Sequence, residues 1–236
     1  MLENIPVENI LFLDIETVPH TDSFDNMSDE MKPLWGKKAQ HIKKEHETEI
    51  DAYRHAGIYA EFGKIICIGM GYVTGPKEKR LMRIKALCAD DEARLLRDFS
   101  ETINKFFSAG NKYLCAHNGK EFDYPFIARR MLINGITLPA ALDISGRKPW
   151  EVPHLDTMEL WKFGDYKAFT SLNLLAAVFR IPTPKDDIDG SMVYDVYWKQ
   201  KDMDRIVRYC RKDVLTVAQI ILRFKGEPLL ENVEML

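Results

Sequence analysis

Cysteine is scarce in this sequence. Cys67, Cys88, Cys115 and Cys210 are the four in 236 residues, widely spaced and without a CxxC pair. Such usage fits buried free thiols in a reducing compartment rather than a disulfide framework. Long apolar runs are missing too, and the opening MLENIPVEN has no basic start followed by an apolar core. A soluble cytoplasmic protein away from membranes is therefore the expectation. Nor is there an excess of basic charge: 33 Lys and Arg against 36 Asp and Glu give a formal net charge of −3 and a pI near 6.1. That excludes a globally basic nucleic-acid glove, but not a local basic patch or a metal-mediated grip on phosphate. There is no internal repeat, low-complexity segment or Gly-rich phosphate loop, and no pattern of Ser or Cys nucleophile with a His base.

What is present suits one large α/β domain over residues 1–236, with 46% hydrophobic and 29% charged residues. Residues 9–16 read as a buried strand. Residues 64–73 and 80–87, joined by TGPKEK, read as a hairpin, and 112–118 as a further short strand. Helical spacing appears over 90–110, over 170–181 and most strongly over 201–224, with another helix after Pro125 and a strand running into a helix near 151–161. Residues 21–62 are polar and helix-prone and read as a helical insertion, with Pro33 placed to break or restart a helix; residues 226–236 read as a short tail. Sequential strands followed by alternating helices and strands predict a mixed sheet, three antiparallel strands and then parallel ones, with helices on its faces.

Within this pattern several acids stand where apolar residues belong. LFLDIETVP (11–19) carries Asp14 and Glu16 two residues apart in a buried strand, so both carboxylates project from one face. In the last helix, Ile206, Cys210, Asp213, Val217 and Ile220 form the buried stripe at steps of four, three, four and three, which puts Asp213 in it, with Tyr209 one turn earlier. Asp123 is lodged between Phe122 and Tyr124 just after a strand. Each feature alone has an ordinary reading as a helix cap or a surface ion pair. Together, Asp14, Glu16, Asp123 and Asp213 are a set of oxygen ligands suited to Mg²⁺ or Mn²⁺, which would neutralise charges that otherwise repel. Asp156, in HLDTMELW, reads as a helix cap, and His117 and His154 as structural histidines.

The order and form of these segments resemble the DEDD superfamily of 3′-5′ exonucleases. DIET (14–17) looks like the first motif, N-x-x-x-F-D (118–123) the second and Y-x-x-x-D (209–213) the third. The tyrosine in the third places the resemblance in the tyrosine branch, which includes the proofreading domains of family B DNA polymerases; AEFGKIICIGMGYV (60–73) and DGSMVYDVYW (189–198) add to it.

The resemblance implies a ribonuclease H-like fold with a five-stranded mixed sheet and a two-metal hydrolysis of phosphodiester bonds. It implies that Asp14 bridges two Mg²⁺ or Mn²⁺ ions, that Glu16 and Asp213 complete the nucleophile-side ion, and that Asp123 holds the second through water. Tyr209 would orient the attacking water. Thr17 would meet the terminal 3′ hydroxyl, Asn118 would tie the second motif to the first, and Phe122 would pack on the terminal sugar or base, unless it is an ordinary core aromatic. Arg129, Arg130, Lys162 and Lys167 are candidates for a phosphate track, against the plainer reading of solvated charges. The expected partner is the 3′ end of single-stranded DNA. Two rivals stay open: a ribonuclease that trims RNA ends, and an inactive binding module that keeps the fold.

Overall fold

The structure, a computed structural model, describes residues 2–182 and 188–236. Its centre is β1 (Ile10–Pro19), which pairs antiparallel with β2 (Gly63–Thr74) on one side and parallel with β4 (Tyr113–Ala116) on the other. β3 (Leu81–Cys88) continues the antiparallel hairpin from β2, and β5 (Leu155–Asp156) extends the parallel side from β4. The expected five strands become six. Asn232–Met235, read from the sequence as part of a tail, forms β6 parallel to β3, so the strand order is β5-β4-β1-β2-β3-β6. β6 is four residues long and mostly exposed, so its Asn-Val-Glu-Met alternation is too short to mark a strand in sequence.

β1 alternates faces as a strand must. Leu11, Leu13 and Ile15 pack with α2 (Glu92–Phe107) and α3 (Asp123–Ile133) in one core. Ile10 and Phe12 face the other way, into a core built on α7 (Met203–Phe224) through Val214, Val217, Ala218 and Ile221. Asp14 and Glu16 continue this second row, beneath α7. The helix lies close to the sheet because β2 offers glycines there. A Cβ on Gly69 would stand 2.8 Å from Cys210 Sγ and from Val214 Cγ2, and one on Gly71 would stand 2.9 Å from Val214 Cγ1. Those two glycines let the third motif come down onto the first.

The insertion forms less helix than expected: α1 (Met31–Ala39) and a 3-10 helix at Asp51–Ile58. Pro33 sits in the first turn of α1, where a missing N–H costs nothing, so it does not break the helix. The insertion has a core of its own around fully buried Trp35, which meets Tyr53 edge-on at 5.7 Å and Phe62 at 5.2 Å and donates from Nε1 to the Glu49 carbonyl at 2.8 Å. Three of the four thiols are buried as expected; Cys88, at the end of β3, is exposed. The remaining helices are α4 (Thr157–Lys162), α5 (Leu172–Val178) and the three-residue α6 (Val193–Asp195), which runs into a π-helical turn at Val196–Gln200.

Arg130 does not join a phosphate track. It is buried in α3, bonded to Glu92 of α2 through Nε at 2.9 Å and Nη2 at 2.5 Å, and donates from Nη1 to the Ala60 carbonyl at 2.8 Å. Glu92 also accepts from the Ile65 amide at 2.7 Å and from Asn134 Nδ2 at 3.1 Å. This network joins two helices, the end of the insertion and the start of β2. Arg130→Ala would leave a buried carboxylate without its countercharge, and a loss of roughly 3–5 kcal/mol in urea unfolding is expected; a loss under ~1 kcal/mol would show that the pair does not hold these elements together.

Candidate active site

The first motif ends in a β-bulge. Glu16 stands opposite Cys67 but Thr17 stands opposite Ile65, so Ile66 is an extra residue on β2. Bulges bend a strand and re-aim its side chains, and here the bulge lies where β1 borders a cleft of about 380 Å³. Asp14, Ile15, Glu16 and Thr17 line this cleft from β1, Tyr209 and Asp213 line it from α7, and Phe122 from the turn before α3. Three motifs that lie about a hundred residues apart in sequence thus meet at one place.

Asp123 and Asn118 lie behind the lining. Asp123 opens α3, is buried, and accepts a hydrogen bond from the Ile15 backbone amide. Asp123 thus bonds the second motif to the first. Asn118 takes a left-handed backbone (φ 62°), and its amide donates to Asp156 Oδ1 at 2.9 Å. Asp156 also accepts from the Lys120 amide at 3.0 Å and caps α4 through the Met158 amide at 2.9 Å. It is a cap, as expected, and one that shapes the loop of the second motif as well. His117 bonds Thr157 Oγ1 at 2.8 Å and the Thr170 carbonyl at 2.9 Å, and His154 bonds the Ala141 carbonyl at 2.6 Å, so both ring systems are satisfied structurally.

The electrostatics of the floor follow from crowding without water. Burial, then the charges of Asp213 and Asp123, push the Asp14 carboxyl well above its usual range. Burial, then Asp14 and Asp213, do the same to Glu16, and burial raises Asp123 to about 7. The Tyr209 phenol is pushed up by burial, by the acids around it and by a hydrogen bond to Asp213, so it is neutral at physiological pH. Asp14 Oδ2 is fully buried and has no hydrogen-bond partner among the described residues. Oxygen atoms of Asp14 and Glu16 and the sulfur of Cys210 lie within 4.8 Å of one another. Burial pushes the Cys210 thiol up and keeps it protonated, so the donors left for a hard cation are carboxylate oxygens.

Other lining residues were not singled out in the sequence. Arg54, His55, Gly57 and Ile58 enter from the insertion, and Gly190, Ser191 and Tyr194 from the segment before α7. In the first group the signal is weak, since a charged, helix-prone stretch reads as solvated surface. In the second it was partly visible in DGSMVYDVYW. The insertion is held against β1 by close backbone approach: a Cβ on Gly57 would stand 2.9 Å from the Val18 backbone.

Among solved structures, the chain is similar to the family B DNA polymerase from the hyperthermophilic archaeon Pyrobaculum calidifontis, with a TM-score of 0.52 and 17% identity. The match covers 93% of this chain and 25% of that one, so the chain spans about a quarter of the polymerase's length. At this identity the likeness establishes the fold, an α/β mixed sheet flanked by helices of the ribonuclease H-like exonuclease kind. No curated protein matches the sequence. Among the described residues no helix is long and apolar enough to cross a membrane. A family model described as "Predicted 3'-5' exonuclease related to the exonuclease domain of PolB" matches residues 58–227, a span that holds the second and third motifs and begins after the first. With well over half its length matched, the chain belongs to this family of predicted 3′-5′ exonucleases related to the exonuclease domain of PolB.

Proposed function

We propose that the whole chain is one exonuclease domain that removes nucleotides from the 3′ end of single-stranded DNA with the help of Mg²⁺ or Mn²⁺. The observation that carries this reading is the buried Asp14 Oδ2, without a hydrogen-bond partner among the described residues, in a group where the Asp14, Glu16 and Asp123 pKa values are raised. A buried acceptor left without a donor is costly, and like charges at close range are costlier. A pair of divalent cations fits such a site, with Asp14, Glu16, Asp123 and Asp213 as the residues that would hold them. When bound, such ions polarise a phosphodiester and offset the negative charge that develops as it is cleaved.

The chain's own groups complete the chemistry. Tyr209 stays a phenol near neutral pH, so its part is to hold the attacking water by a hydrogen bond rather than to take a full proton from it. Thr17 and Phe122 line the cleft beside the acids and would receive the terminal nucleotide, Phe122 against the sugar or base.

A single-stranded oligonucleotide labelled at its 5′ end is expected to shorten stepwise from the 3′ end with Mg²⁺ or Mn²⁺. EDTA or Asp14→Ala is expected to stop the reaction. A mutant as active as wild type would sink the assignment, and faster loss of matched RNA would change the polymer. Tyr209→Phe is expected to lower kcat by roughly 10²-fold while KM stays close to wild type, read from steady-state rates.

Stability should respond to pH and metal together. Asp123 titrates near about 7 in the fold, against roughly 3.9 in an unfolded chain, and Asp14 and Glu16 are shifted the same way. The fold holds these protons more tightly than the unfolded chain, so their stabilising effect is complete below the unfolded value and is lost as pH rises through ~4 to ~7. In EDTA, Tm is therefore expected to be lower at pH 8 than at pH 5.5, with Mn²⁺ raising it more at pH 8. Equal metal effects at both values would contradict this.

A further inference from the structure

The insertion does more than flank the sheet. Its 3-10 helix reaches the cleft that holds the three motifs and contributes Arg54, His55, Gly57 and Ile58 to the lining. The floor is acidic, with Asp14, Glu16 and Asp213, and among the described residues that line it Arg54 is the one guanidinium or ammonium group. Arg54 is exposed and forms no salt bridge with any described residue. Lys199, near enough to feel the charge of Arg54, is already engaged, since its Nζ stands 2.6 Å from Asp195 Oδ1.

The helix that carries Arg54 is not a loose loop. Ala52, Tyr53 and Ala56 are buried in the insertion's core. Tyr53 shares a 2.6 Å hydroxyl contact with Thr21 Oγ1, and Gly57 packs on the Val18 backbone. The chain therefore presents an unpaired cation from a fixed element beside a floor of acids.

A polynucleotide carries charge at every residue. Cations held by the acids would draw in the phosphate being cut, but they leave the next phosphate along the strand facing a net negative floor. We propose that Arg54 holds that next phosphate, the one linking the second and third nucleotides from the 3′ end, so that the insertion measures the strand at the point where it enters the site. A planar guanidinium suits a phosphate's paired oxygens. The idea rests on the exonuclease reading above. It predicts a preference for substrates that continue beyond the scissile bond.

The test compares two substrates. One is a 5′-fluorescein single-stranded oligonucleotide; the other is the p-nitrophenyl ester of thymidine 5′-monophosphate, which has the scissile phosphate and no next one. With Mn²⁺, Arg54→Ala is expected to lower kcat/KM on the oligonucleotide by about tenfold, mostly through KM, and by no more than about twofold on the ester, with Arg54→Lys regaining part of the loss. Equal losses on both substrates, or no loss on the oligonucleotide, would overturn the proposal.

Fluorescence anisotropy with the same oligonucleotide in Ca²⁺ gives a readout without turnover. The slope of log affinity against log salt is expected to fall by about 1 in Arg54→Ala. If wild type cuts neither substrate, the exonuclease reading fails by itself, and the binding curves alone decide the role of Arg54: a weaker, less salt-dependent mutant supports it, and superimposable curves reject it.

Discussion

Everything in this molecule is arranged around carboxylates that crowd together at the floor of a cleft. Asp14, Glu16 and Asp123 lose hydration on burial, and the charges of Asp213 and Asp123 add to the rise in proton affinity at Asp14, as those of Asp14 and Asp213 do at Glu16. The buried cation nearest in kind, Arg130, is committed to Glu92 elsewhere in the fold. The contrast between these two groups of buried acids is informative. Glu92 is satisfied by a guanidinium, a backbone amide and a side-chain amide, so it is structural. Asp14 keeps a buried oxygen with no hydrogen-bond partner among the described residues.

Holding such a cluster together needs a scaffold that resists its self-repulsion. The apolar half of β1 supplies part of it, sandwiched between one core on the α2 and α3 side and another on the α7 side. Gly69 and Gly71 supply another part by letting α7 descend until Asp213 and Tyr209 face the strand. The bond from the Ile15 amide to Asp123 fastens the third component. Each contact is local and ordinary, and the acids are brought together by their sum.

Much of this was legible in the sequence, for reasons that can be named. Period-two alternation placed Asp14 and Glu16 on one face, and helical spacing placed Asp213 in a buried stripe, because these patterns follow from backbone geometry alone. The order of the motifs carried the fold. What escaped notice depends on pairings between distant residues. β6 is four residues long and mostly exposed, too short for its alternation to mark a strand without its partner β3. Arg130 looks in sequence like any surface cation, and its burial is decided by Glu92, 38 residues away. Arg54 and Ile58 reach the cleft only because the insertion folds back onto Val18.

The Glu92 and Arg130 network has a consequence for how the protein comes apart. It grips the Ala60 carbonyl at the end of the insertion and the Ile65 amide at the start of β2, while Gly57 seats the same segment on β1. An insertion with its own aromatic core, fixed at its base in this way, is not a separate cooperative unit. Amides around Trp35 should exchange with solvent at the rate of the central sheet. A breach in that sheet would dissolve the cleft wall and the acid floor in one event, with no intermediate that keeps one and loses the other.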